Sequence, residues 1–116
     1  MRIYLAGRFE DRFRLRAYRD RLVMAGHVVT STWLDQPEGI SHENPEAPYR
    51  EIAEKDFGEI TSSDALIVDT ESVAPRGGRE VEVGYALAQG LPVYVRGPRR
   101  NVFHHLCSAI EEWATP

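Results

Sequence analysis

Apolar residues along this chain fall alternately into short continuous runs and into stripes that recur at three- and four-residue steps. The runs read as strands buried on both faces, the stripes as amphipathic helices. Arg2 to Ala6, ending at Gly7, is the first run. A helix from about Asp11 to Ala25 follows, striped by Leu15, Tyr18, Leu22 and Ala25 and stopped at Gly26. The β-branched segment His27 to Trp33 reads as the second strand. Pro37, Pro45 and Pro48, with Gly39, make Leu34 to Pro48 a long irregular connection, of the kind that often forms a functional lid. Tyr49, Ile52, Ala53, Phe57 and Ile60 stripe a helix from about Tyr49 to Ser62, and Ala65 to Val68 is the third strand, closed by Asp69 and Thr70. A turn at Ala74 to Gly78 leads into a helix from about Glu80 to Gln89. Gly90 ends it, Pro92 to Val95 is the fourth strand, and a short helix is expected around Phe103 to Trp113.

Strands alternating with helices imply parallel pairing through right-handed crossovers. The expected fold is α/β: a doubly wound, mostly parallel sheet of four to five strands in a flavodoxin- or Rossmann-like three-layer sandwich, with residues 1–116 as a single domain. Such sheets bind ligands outside the carboxyl ends of their strands. Gly7–Arg8, Trp33–Gln36, Asp69–Gly78 and Gly97–Asn101 are therefore the places to look. No Gly-x-Gly-x-x-Gly follows the first strand, which weighs against a dinucleotide-binding domain.

Composition narrows this only a little. With 42% hydrophobic and 28% charged residues the chain is ordinary for a globular protein, and no apolar stretch is long enough for a membrane span. A net charge of −4 weighs against a nucleic-acid-coating protein. The single cysteine, Cys107, has neither an internal disulfide partner nor zinc spacing, so a cytoplasmic protein without a metal is expected. Arginines crowd the first helix (Arg12, Arg14, Arg16, Arg19, Arg21) and follow the fourth strand (Arg96, Arg99, Arg100). They read as a solvated face or as local attraction for a phosphorylated small molecule.

Two carboxylates stand out. Glu82 is expected in the first turn of its helix, where free N–H groups and the helix dipole favour the ionised form; an acidic helix start without further role is the plainer reading. Gly84, mid-helix, marks close packing or close approach of a ligand. Asp56 falls on the stripe that should be apolar, where burial would raise its pKa toward a general-acid role unless a partner holds it. Two carboxyls, one ionised and one protonated, are what retaining glycosyl chemistry uses.

The run Glu82-Val83-Gly84-Tyr85-Ala86-Leu87-Ala88-Gln89-Gly90, followed by Pro92-Val93, resembles the nucleophile helix of the nucleoside 2-deoxyribosyltransferase family, which includes deoxynucleoside 5′-monophosphate N-glycosidases. Ile3-Tyr4-Leu5-Ala6-Gly7 is similar to that family's first strand, and Asp56 to the acid of its middle helix. The resemblance implies an enzyme cleaving the N-glycosidic bond of 2′-deoxynucleosides or their 5′-monophosphates. In it Glu82 attacks C1′, Tyr4 orients that carboxylate and Asp56 serves the leaving base, with transfer to a base or to water and no cofactor. It also implies a homodimer or larger homo-oligomer, with Asn101 and His104 near a neighbour's site.

Six positions before Glu82, where family members acting on free nucleosides tend to place an acid, this chain has Arg76. With Gly77, Gly78 and Arg79 it makes a basic, N–H-rich helix entrance suited to an anion, or an exposed turn. Gly7, Arg8, Trp33, Asp69 and Asn101 complete the expected substrate-binding set; Trp33 is read as a stacking surface or a core residue, Asp69 as a sugar ligand or a turn residue. A non-catalytic nucleotide-binding or sensing module is the alternative on the same fold.

Overall fold

The computed structural model describes residues 1–36 and 48–110. Its centre is made by the two most apolar runs: β1 (Arg2–Ala6) pairs in parallel with β3 (Ala65–Asp69), Ile3 opposite Ala65 and Ala6 opposite Val68. Both are buried almost throughout, as strands covered on both faces must be. β4 (Val93–Arg96) continues the sheet beyond β3 and alternates, with Val93 and Val95 buried and Tyr94 and Arg96 half-buried. With the short β2 (Val28–Val29) and β5 (Ser108–Ala109) at the edges, the order is β2-β1-β3-β4-β5, all parallel. That is the doubly wound, flavodoxin-like order, in which the chain reverses direction across the sheet between β1 and β3. α1 (Arg12–Met24) lies against β2, while α2 (Tyr49–Thr61) and α3 (Gly78–Ala88) pack on each other through stacked Phe57 and Tyr85 rings. Among the described residues no helix is long and apolar enough to cross a membrane.

A strand and a helix of the sequence reading take another form. The second strand stops at Val29 because side chains take over its ladder: Leu5 N–H donates to Ser31 Oγ at 3.0 Å, and Leu5 C=O accepts from Trp33 Nε1 at 2.8 Å. The chain then turns into a 3₁₀ segment, Thr32–Asp35. The helix expected around Phe103 is a 3₁₀ turn, Val102–Leu106, started by the Asn101 side chain, which accepts from the Phe103 and His104 N–H groups. His104, buried within the turn, and Cys107, buried at its C-terminal cap, are three apart, the 3₁₀ period, and β5 follows. The lid expected over Leu34 to Pro48 falls largely on residues 37–47, outside the described residues.

Of the helical arginines Arg21 is exposed, while the other four are held by groups of the chain itself. Arg12 is buried with its guanidinium over the Phe9 and Phe13 rings, Arg14 grips Asp69 with bonds of 2.6 and 3.0 Å, Arg16 donates to Leu34 C=O and Arg19 to Asp35. They fasten α1 to the sheet ends and to the 3₁₀ segment.

Candidate active site

At the switch point the segments leaving β1 and β3 diverge and leave a cleft of about 220 Å³. Gly7 to Glu10 form one wall, Ala74 to Arg79 another, and Trp33, Gln36, Asp56 and Glu82 complete it. Gly7 is needed at its position, since a Cβ there would stand 2.6 Å from Leu15 Cδ1. Gly77 caps α3 with φ of 80°, a left-handed conformation that a side chain disfavours.

α3 begins at Gly78, earlier than the sequence suggested, so Glu82 stands in the second turn and Glu80 in the first. The free N–H groups of the helix start therefore cannot be what serves Glu82. Its partner comes from the sheet: Tyr4, fully buried on β1, donates its hydroxyl to Glu82 Oε2 at 2.6 Å. Burial pushes the Glu82 carboxyl up to about 8; the Tyr4 hydrogen bond works against this, and the nearby charges of Asp56 and Glu59 add to it. Burial and the same carboxylates drive the Tyr4 hydroxyl far above its ordinary range, so it remains a donor. Asp56, half-buried on α2 and lining the cleft, is raised to about 6, by burial first and by the Glu59 charge second, with Lys55 opposing. The pair thus retains one proton between about pH 6 and about 8. Burial raises both carboxyls, where the expectation was an ionised Glu82 beside a protonated Asp56.

Of the other expected site residues, Gly7, Arg8, Trp33, Arg76, Gly77 and Gly78 line the cleft. Trp33 is both wall and core: it is 6% exposed, tied to β1 by its indole N–H and tilted against Phe9. Arg8 is engaged by Asp11 at 3.0 Å and Glu10 at 3.7 Å, and Arg76 by Glu10 at 3.2 Å. Arg79 is no anion donor. Its guanidinium is buried and donates to the Asp69 and Ser72 carbonyls and to Glu80.

Asp69 is not in the cleft either; it is 1% exposed, held by Arg14 and accepting from Glu71 N–H. Asn101 faces a second cleft, of about 460 Å³, on the back of α3, with its amide donating to Glu80. His104 is fully buried in its own chain against Glu80, so it is not available to a neighbour. Gly84 opens onto the same back cleft, where an added Cβ would meet nothing within 4 Å, so close packing within the chain does not explain it. Gln36, in the strand-end segment Trp33–Gln36 that the sequence pointed to, lines the main cleft, as do Phe9 and Glu10, which were not singled out although they directly follow Gly7–Arg8.

The fold and cleft define a flavodoxin-like α/β protein with two carboxyls, Asp56 and Glu82, lining the cleft at the switch point. The chain belongs to the nucleoside 2-deoxyribosyltransferase family, whose model matches residues 3–108. No curated protein sequence matches it. Among solved structures the fold is that of the 2-deoxyribosyltransferase of the psychrotolerant bacterium Bacillus psychrosaccharolyticus, at a TM-score of 0.77 and 22% identity over 97% of this chain and 88% of that one. The CMP N-glycosidase of Clostridium botulinum gives 0.66 and 16% over 95% and 86%. A 2-deoxyribosyltransferase of Leishmania mexicana gives 0.56 and 20% over 98% and 76%.

Proposed function

We propose that this protein cleaves the N-glycosidic bond of 2′-deoxynucleosides or their 5′-monophosphates through a covalent glycosyl-enzyme on Glu82. The observation that carries this reading is the part-buried Tyr4–Glu82 hydrogen bond beside Asp56 in the switch-point cleft. A Glu82 oxygen attacks C1′ as the C1′–N bond breaks, its electron pair passing to the base, and Asp56 gives the base its proton. Docking of a base against Asp56 places the proton of the pair there and leaves Glu82 charged. An acceptor base or a water then attacks C1′, Glu82 leaves, and Asp56 takes up the proton that the acceptor loses. Which acceptor reaches C1′ decides between transferase and hydrolase. Tyr4 holds the carboxylate in line throughout.

Trp33 supplies an apolar surface for the base, and Arg76 with the Gly77–Gly78 backbone receives a 5′-phosphate. Glu10 already pairs with Arg76, so the phosphate takes the place of Glu10 there. The cleft is smaller than the roughly 300 Å³ at which ligand pockets usually begin. A second copy of the chain joins through the exposed Val81, Phe103 and Leu106 on the back of α3. The protein works in the cytoplasm.

Incubation with a panel of deoxynucleosides and their 5′-monophosphates, with and without a free base, tests the reading by chromatography of released base and new nucleoside. Base release is expected, and none from any member of the panel would end the proposal. Arg76→Gln should weaken monophosphates about ten- to a hundredfold and leave free nucleosides nearly unchanged.

A further inference from the structure

Behind α3, away from the cleft, lies a part-buried polar cluster that the proposed chemistry does not use. Glu80 is its centre: one carboxylate oxygen accepts from Asn101 Nδ2 at 2.9 Å and faces His104 Nε2, and the other accepts from Arg79 Nε at 2.8 Å. His104 is fully buried, and its Nδ1 accepts the Arg100 N–H at 3.0 Å, which leaves Nε2 as the ring nitrogen that donates to Glu80. Arg79, also buried, carries the network onward through Ser72 C=O at 2.8 Å and Asp69 C=O at 3.3 Å.

These bonds join three segments. The 3₁₀ turn Val102–Leu106 is tied to the first turn of α3, and that turn to the segment leaving β3, which continues as the cleft wall Ala74–Gly78. Residues two apart on a helix point about 200° apart, so Glu80 grips the rear of α3 while Glu82 faces Tyr4 in front. A helix is free to roll about its axis unless something fixes its angle, and a roll of the first turns would swing Glu82 off the Tyr4 hydroxyl. The Glu80 cluster fixes that angle from behind.

We infer that Glu80, His104 and Asn101 are positioning residues that set the aim of Glu82, acting through the orientation of α3 and never touching the substrate. The inference deepens the proposed function and rests on it for its kinetic arm alone. Two replacements of one residue separate aim from packing. In His104→Gln the amide can still reach Glu80 in place of Nε2. In His104→Asn the shorter side chain can still accept the Arg100 N–H in place of Nδ1, but it no longer reaches Glu80.

Base release by His104→Asn is expected to fall about ten- to a hundredfold in kcat with KM changed less than about twofold, and His104→Gln should recover most of the loss. A readout independent of activity is ¹³C NMR titration of the Glu82 side chain, whose facing titratable groups are Tyr4 on β1 and Asp56 and Glu59 on α2. Losing the Tyr4 bond should move the Glu82 midpoint to higher pH in His104→Asn, and not in His104→Gln. Asn101→Ser, which keeps an oxygen to start the 3₁₀ turn and removes one donor to Glu80, should shift it in the same direction by less, and it stands in if His104→Asn does not fold. An unchanged Glu82 midpoint in folded His104→Asn, or in Asn101→Ser where that stands in, would overturn the inference. A wild type inactive on every nucleoside would overturn only the proposed function, since the titration still decides the aim.

Discussion

Glu80 and Glu82 stand two residues apart on one helix and carry the same side chain, yet their surroundings drive them in opposite directions. At Glu80, burial alone would raise the carboxyl, but donors from Arg79, Asn101 and His104 outweigh it and hold the group below its ordinary range. At Glu82 a single donor, Tyr4, faces a larger burial penalty and the charges of Asp56 and Glu59, and the carboxyl is pushed up to about 8. Deeper burial at Glu82, together with one donor there against three at Glu80, decides which acid keeps its charge and which holds its proton. A saturated carboxylate has no lone pair to spare for a substrate. An under-supplied one next to a cavity does.

The largest expected effect comes from exchanging the two roles. Glu82→Gln should lower base release by roughly 10⁴-fold or more, as loss of a nucleophile does, while leaving the unfolding transition no weaker than that of the wild type. Glu80→Ala should do the reverse in kind. It leaves the buried Arg79 guanidinium without its carboxylate and His104 without its acceptor, at a cost of about 3 kcal/mol in urea unfolding. A stable Glu80→Ala protein would break the contrast between the two faces. So would a Glu82→Gln protein that still released base.

A smaller effect sharpens the front face. Tyr4→Phe removes the one donor to Glu82 and keeps the buried ring, so the fold should survive. Base release should drop about ten- to a hundredfold, and the Glu82 titration should move further up, because the bond that opposed burial is gone. If Tyr4→Phe titrated like the wild type, the hydroxyl would have no part in setting the carboxylate.

Much of this arrangement was legible in the sequence. The runs at Ile3–Ala6 and Ala65–Val68 could be read because strands covered on both faces are continuously apolar, and their order with the helices fixed the switch-point cleft. Asp56 drew attention as an acid on an apolar stripe, and the structure places it at the cleft. What could not be read were the side chains that replace backbone. Ser31 and Trp33 end β2 early by bonding to Leu5, and Asn101 starts a 3₁₀ turn where helix was expected; neither device leaves a periodic trace. The same limit hid the true neighbours of Asp69 and Arg79, whose partners are carbonyls and arginines distant in sequence. It also concealed Glu80, which looks like any acidic helix start until His104 is brought against it from the other side of β4.

The smallest effect is in the pH dependence, and it separates the two glutamates by sign. For the free enzyme, base release by kcat/KM should rise through a limb near pH 6 as the pair loses its first proton and fall through one near pH 8 as it loses its second. Stability follows the same groups. Glu82 has a folded pKa far above the roughly 4.3 of an unfolded glutamate, so between those values the folded chain holds the extra proton, and stability is lost as pH rises toward about 8. Glu80 lies below its ordinary value, so its contribution is present above about pH 4.3 and is lost as pH falls through its folded pKa. Melting temperatures of the wild type, Glu82→Gln and Glu80→Gln should therefore diverge in opposite senses. Glu82→Gln should gain on the wild type between pH 5 and pH 8, about where Glu82 loses its proton. The deficit of Glu80→Gln should be full at neutral pH and shrink only in acid. Curves that ran parallel to the wild type across the whole range would mean that the two carboxyls titrate alike, and the difference between the two faces of α3 would disappear.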